Sequence, residues 1–294
     1  MPGLLPTEVD VTIDVVLLGT GNPVPDAHRA GAATLVRAGG HLLCFDAGRA
    51  VTMRLAAAGA MPGMLSAVFL THLHSDHIVD LNDLVTTHWV TSMEPRSLRI
   101  IGPRRTGAVV DGLLAMLAPD VEYRIAHHAD LTWAPEVEVI EVEGGVVWEA
   151  DGVRVTAAAT DHRPVEPTVG YRIECEGRAA VIAGDTVPCA GLDVLCAGAD
   201  VYVQTVLRDD LVRSIPSSRT SKTMNVANAI WAKRFVTEVH AAIARSDGSR
   251  PTNRSPAAIS RRRLGRTPSD AAGSPSRGAG SRSRIADRKS TRLN

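Results

Sequence analysis

The chain has 294 residues, 45% hydrophobic and 22% charged, with a formal net charge of zero. Those values suit a soluble protein with a sizeable core, built as one large domain or two small ones. No apolar run approaches the roughly 20 residues of a membrane span, and acidic residues stand near the N-terminus where a secretion signal carries basic ones. The 4 cysteines (Cys44, Cys175, Cys189, Cys196) form no CxxC pair, which excludes a disulfide framework or a cysteine zinc ribbon and fits a reducing, cytoplasmic compartment.

Zero net charge hides a division. Residues 245–294 carry 13 Lys+Arg and 3 Asp+Glu, leaving 19 basic and 29 acidic side chains, of the 32 and 32, to the rest. An acidic body argues against capture of nucleic acid over its whole surface, though a local basic groove is compatible with it. The last 50 residues are rich in Ser, Arg, Gly, Pro and Ala and lack aromatics and histidine, too little apolar surface to offset the entropy of ordering. Arginine runs such as Arg261, Arg262 and Arg263 suit phosphates, but the final DRKSTRLN resembles the translation of a sequencing adaptor. We read 1–244 as the functional domain and 245–294 as a disordered basic tail of non-native origin, with no function assigned.

In chain order, alternation predicts a strand over 11–18, ending in the turn GTGNP. Residues 33–37 and 41–46 flank Gly39-Gly40 as a hairpin. A short helix is expected over 51–58, a buried strand over 67–70, and a helix over 77–88 from the spacing of Ile78, Leu81, Leu84 and Val85. A strand over 98–101 and a helix over 106–117, stopped at Pro119, follow. Residues 137–142, 146–148 and 153–158 read as a meander, 169–175 and 179–183 as a hairpin around Glu176-Gly177-Arg178, and 200–204 as a last strand. Mixed strands and helices imply layered α/β packing.

One stretch stands above the rest: FLTHLHSDH, residues 69–77. Three imidazoles and a carboxylate fall within six residues directly after a buried strand, and these are ligands that a borderline cation such as zinc prefers. In extended backbone, residues two apart face the same way, so His72 and His74 can hold one ion while the next turn swings Asp76 and His77 to a neighbouring position. Histidines and carboxylates without thiolates leave room for water, the pattern of a catalytic site.

THLHSDH resembles the HxHxDH signature of the metallo-β-lactamase superfamily, and other segments match in order: LLCFDAG ending at Asp46-Ala47-Gly48, Asp161-His162 followed by GYRI at 170–173, and AGDT at 183–186. The opening LLGTGNPVP and Ile101-Gly102-Pro103 further resemble the ribonuclease Z and arylsulfatase-like branch. The resemblance covers about residues 11–215. It implies a four-layer αββα sandwich of α/β (α+β) class. It implies two zinc ions, with His72, His74 and His162 on the first, Asp76 and His77 on the second, and Asp185 bridging. Asp46 would sit behind the ligands and orient the loop. A hydroxide held between the ions would be the nucleophile, with Asp76 the catalytic side chain.

Two departures qualify that carry-over. The family's downstream histidine for the second metal has one candidate after His162, His240, beside the anomalous tail; we expect native sequence to be missing or out of frame from near 217. Ribonuclease Z proteins also insert a Gly/Pro-rich arm after the third-histidine motif, and the 23 positions from His162 to Asp185 leave no room for it. The resulting expectation is a zinc-dependent hydrolase of a small anionic ester, a phosphodiester or sulfate ester, with a lactone a further option. The alternatives are a tRNA 3′-processing endoribonuclease acting on RNA and an inactive, truncated metal-binding relative. No membrane partner is expected; a homodimer is compatible with the family.

Plainer readings hold elsewhere. Gly19-Thr20-Gly21 is a tight turn, since no third glycine completes a dinucleotide fingerprint. His28 and Arg29 are loop residues, or face an anionic substrate. His127 and His128 read as surface, His88 as a packed or exposed helix residue, and Trp89, Trp133 and Trp148 as core or pocket wall. The acids of 136–143 alternate with Val137, Val139 and Val142, a half-buried strand.

Overall fold

The computed structural model describes residues 12–206. The start of the first predicted strand, His240, the 245–294 tail and the expected break near 217 lie outside the described residues. β1 (Ile13–Gly19), β2 (Ala33–Ala38), β3 (His41–Phe45), β4 (Ala67–Phe69), β5 (Leu98–Gly102) and β6 (Val137–Glu141) form one sheet in that order. β1, β2 and β3 are antiparallel neighbours, and β3 to β6 run parallel. β4 is buried at all its positions, as expected of a parallel strand covered on both faces. The second sheet has the order β11-β10-β9-β8-β7, from β7 (Gly145–Ala150), β8 (Val153–Ala159), β9 (Val169–Cys175), β10 (Arg178–Ile182) and β11 (Val201–Val203).

The core has two parts. Between the sheets, Phe45, Phe69 and Ile101 meet Val155, Tyr171, Ile173 and Ile182. On the outer face of the first sheet, Leu35, Cys44, Val68 and Ile100 pack with residues of α1 (Val51–Ala57), α3 (Leu81–Thr91) and α4 (Thr106–His127). α5 (Ala190–Cys196) packs on β8 and β9 of the second sheet. The order helix, sheet, sheet, helix is the four-layer sandwich. No helix among the described residues is long and apolar enough to cross a membrane.

Three expectations are corrected. The helix over 77–88 is two: α2 (Ser75–Ile78) and α3. Between them the Asp80 N–H donates to Ala47 O at 3.0 Å, and its carboxylate faces the N–H groups of Ala50, Val51 and Thr52 at the start of α1, so the chain turns to serve the preceding loop. Pro119 does not stop α4, which runs 22 residues; the carbonyl whose helical partner it removes, on Ala115, lies in an exposed turn open to solvent. The three-strand meander is also divided, because β6 pairs with β5 and only β7 and β8 pair with each other. α5 and a 3₁₀ turn (Pro62–Met64) were not legible as elements.

His88 is buried in α3, and its Nε2 has no hydrogen-bond partner among the described residues. Burial first, and then the Arg96 charge, hold its pKa down to about 4 from 6.5. The unfolded chain takes up this proton at higher pH than the folded one, so the residue costs stability as pH falls from 6.5 toward 4. We expect His88→Leu to raise the thermal midpoint relative to the parent more at pH 5 than at pH 7.5; equal shifts at both would contradict this.

Candidate metal centre

The site lies where strand ends from both sheets converge. β4 is followed by an extended loop carrying His72 and His74, and then by α2 with Asp76 and His77. Tyr171 of β9 fixes the start of that loop: its ring packs on Phe45 and Phe69, and its hydroxyl donates to Leu70 O at 2.7 Å. The pairing of β3 and β4 is extended by Asp46 N donating to Phe69 O at 2.7 Å. Asp46 then adopts a positive φ of 61°, which an L-residue holds only when its surroundings over-determine it.

Its carboxylate supplies that constraint. Asp46 Oδ1 accepts from Thr71 N at 2.8 Å, the Thr71 hydroxyl lies 3.0 and 3.1 Å from the two carboxylate oxygens, and His77 Nδ1 lies 2.8 Å from Oδ2. A hydroxyl has one proton. Given to Asp46, it leaves the Thr71 oxygen to accept from His72 Nδ1 at 3.1 Å. One buried carboxylate thereby sets the tautomer of His72 through Thr71 and that of His77 directly, leaving the Nε2 atom of each aimed into the site.

The other loops meet this frame. His162 follows β8 and Asp185 follows β10. Thr186 joins the two loops: its hydroxyl accepts from Asp161 N at 3.1 Å and lies 2.9 Å from Val187 O. Gly184 has φ +67°, and a Cβ there would sit 2.7 Å from the Thr71 side chain, so only glycine brings the Asp185 loop this close.

The ligand atoms of His72, His74, His162 and Asp185 all lie within 4.8 Å of one another. His74 Nδ1 is 3.0 Å from His72 Nε2 and 3.4 Å from His162 Nε2. Asp185 faces both halves of the site, with Oδ2 3.8 Å from His162 Nε2 and Oδ1 3.5 Å from His77 Nε2. Asp76 Oδ2 is 3.8 Å from the same His77 nitrogen. All six expected ligands and Asp46 are thus brought together, whereas exposed His127 and His128 lie at the far end of α4 and His28 on an exposed loop.

The electrostatics suit a cation. Burial, then the His77 charge, lower the His72 pKa to about 4, which keeps its ring neutral. For His77, burial opposes protonation, but Asp46 and Asp185 overcome it and raise the pKa to about 10. Burial would raise Asp185, yet His77 and His72 hold it below the ordinary carboxylate range. Its Oδ1 is buried and, among the described residues, has no close hydrogen bond, only the His77 ring nitrogen at 3.5 Å; a divalent ion would satisfy this oxygen. A metal on His77 must displace its proton. Among the described residues, convergent ring nitrogens, a buried carboxylate oxygen without a close hydrogen bond and no thiolate fit a divalent ion that keeps open positions. Sequence reasoning quoted Thr71, Tyr171 and Thr186 inside THLHSDH, GYRI and AGDT but gave them no role, since a hydroxyl beside a ligand or inside an apolar strand does not say what it will touch.

Fold and site together define a metallohydrolase of the metallo-β-lactamase type. Comparison with known proteins agrees. The beta-lactamase superfamily domain matches residues 41–240. The ribonuclease Z of Mycobacterium sp. (strain KMS) is 54% identical over 219 residues, 74% of this chain and 77% of that protein. In structure, the chain resembles human tRNase Z, short form (23% identity, TM-score 0.53, 68% of this chain and 80% of that one). It also resembles a diphosphatase from the PhnP family (18% identity, TM-score 0.55, 76% and 83%). The chain belongs to the beta-lactamase superfamily, in its ribonuclease Z branch, and is a metal-dependent hydrolase.

Proposed function

We propose that the chain is a cytoplasmic, zinc-dependent endoribonuclease that hydrolyses a phosphodiester bond at the 3′ side of precursor tRNA. The observation that carries this reading is the 54% identity to a protein named ribonuclease Z, joined to a His/Asp cluster built around Asp185. It displaces the small-ester reading, which rested on the short span between His162 and Asp185; β9 and β10 fill that span as a hairpin, so RNA must be held by other surfaces.

In this reading His72, His74 and His162 would hold one zinc ion, Asp76 and His77 would hold a second, and Asp185 would serve both. Bound ions would supply Lewis-acid charge and a water acidic enough to react at neutral pH. The chain's own residues position and manage protons. Asp46 keeps His77 aimed by holding its Nδ1 proton, and Thr71 does the same for His72. Asp76, 8% exposed, would take the proton of the attacking water at a carboxylate oxygen and pass it to the oxygen that leaves phosphorus. Net, water adds across one P–O bond.

The test uses precursor tRNA with a 3′ trailer. Chelator-treated protein is expected to be inactive, and two zinc ions per chain to restore cleavage. One ion or none, without cleavage, would support the inert-relative reading instead. Hydrolysis of p-nitrophenyl sulfate with no RNA cleavage would restore the small-ester reading.

A further inference from the structure

All fixed positive charge in residues 12–206 is arginine, since the sequence has no lysine before Lys222. Most of these arginines are engaged. Arg37, Arg99, Arg124, Arg154 and Arg178 pair with carboxylates, as Arg163 does with Asp161. Arg96 and Arg172 reach backbone carbonyls. Arg54 is exposed and also lacks a side-chain acceptor among the described residues, but it stands in the last turn of α1, where the helix dipole favours a cation. Arg29, Arg49, Arg104 and Arg105 stand on loops, all exposed and with no side-chain acceptor among the described residues.

Those four share one edge of the molecule. β1, β3, β4 and β5 run in the same direction, so the loops leaving their C-terminal ends emerge together. The loop after β4 carries the histidine cluster. Arg29 is on the loop after β1, Arg49 three residues past Asp46 on the loop after β3, and Arg104 and Arg105 on the loop after β5. Arg49 O accepts from Gly31 N at 2.9 Å, tying the first two loops together. Two nearby acids are held by backbone amides and pair with no guanidinium among the described residues: Glu141 accepts from Arg105 N and Gly107 N at 2.9 Å each, and Asp26 from His28 N at 2.8 Å.

We propose that Arg49, Arg104 and Arg105, continuing from Arg29, form a phosphate-tracking rim that holds the RNA backbone on either side of the bond to be cut. Unpaired guanidinium groups gathered at the metal-bearing edge of an acidic body concentrate positive potential where a polyanion must arrive. The guanidinium fork matches phosphate oxygens in pairs. The rim also supplies a hold on RNA that the span from His162 to Asp185, filled by the β9–β10 hairpin, does not. It rests on the ribonuclease reading and deepens it.

The experiment measures filter binding of labelled precursor tRNA to chelator-treated protein between about 50 and about 200 mM salt. Binding is thus read without catalysis. The double variant Arg104→Ala/Arg105→Ala is expected to bind roughly tenfold more weakly at the low-salt end. Its dependence of log affinity on log salt should flatten by about 0.7 to 0.9 for each phosphate that is no longer neutralised. Arg49→Ala should bind about threefold more weakly by the same logic. Arg104→Lys/Arg105→Lys should keep most of the salt dependence, since charge is retained, and zinc content after reloading reports the fold of every variant. Arg154→Ala, on the second sheet, should bind as the parent does. Parent-like affinity and salt dependence in the double alanine variant, or an equal weakening in Arg154→Ala, would overturn the rim. A parent chain that binds RNA in this way without cutting it would leave the rim standing and remove the reaction; one that binds no RNA removes both.

Discussion

Replacing His74 by alanine is expected to empty the metal centre and abolish hydrolysis, while His127→Ala leaves both intact. His74 Nδ1 stands between His72 Nε2 and His162 Nε2, at 3.0 and 3.4 Å. Its removal takes the middle donor from the set and leaves too few nitrogens to compete with water for the ion. The loss in metal affinity should exceed the roughly 10- to 100-fold that follows removal of a group hydrogen-bonded behind a ligand. His74 is exposed, so the fold should survive, and zinc per chain by elemental analysis can be read beside cleavage. Similar losses in the two variants would defeat the assignment, because His127 ends α4, a helix on the outer layer.

Asp46→Ala should damage both stability and metal binding, for a different reason. The Asp46 carboxylate serves three buried donors: Thr71 N, the Thr71 hydroxyl and His77 Nδ1. Orphaning buried polar partners costs about 1 to 3 kcal/mol each, and breaking a buried charge pair about 3 to 5 kcal/mol. These costs overlap, so the loss should be about 3 to 5 kcal/mol, read by denaturant unfolding of the metal-free protein. Thr71→Val separates orientation from bulk. It keeps the shape against Gly184 but removes the proton relay to His72, so zinc affinity should fall about 10- to 100-fold. Thr71→Ser, which retains the hydroxyl, should restore most of it. A cobalt-substituted protein gives an independent readout, because a re-aimed His72 alters its visible spectrum. Equal behaviour of the valine and serine variants would mean that Thr71 acts only as packing.

The parts of the fold visible in the sequence were those in which local pattern and tertiary environment agree. The β2–β3 and β9–β10 hairpins were announced by Gly39-Gly40 and Glu176-Gly177, which hold positive φ. The splitting of 77–88 was hidden because Asp80 turns to satisfy Ala47 and the start of α1, partners more than twenty residues away. Pro119 misled because a missing N–H matters little where the carbonyl it would have served is open to solvent. β6 looked like part of a meander because its alternation says that one face is buried, not which sheet it joins. His72, His74, Asp76 and His77 announced themselves by density. His162 and Asp185 emerged only through the ordered motifs of the family resemblance, since a lone histidine and a lone aspartate carry no signal.

The sequence by itself determined the ligand types, and therefore the class of ion and of reaction, because imidazole and carboxylate chemistry travels with the residue. Tertiary structure decided that strand ends from two sheets bring these groups within bonding range. It also decided that one carboxylate, through a threonine hydroxyl, chooses which nitrogen of two histidines faces inward, and that the unpaired loop arginines gather on the same edge. Those are relations between distant segments, and no local periodicity encodes a distance across a folded core.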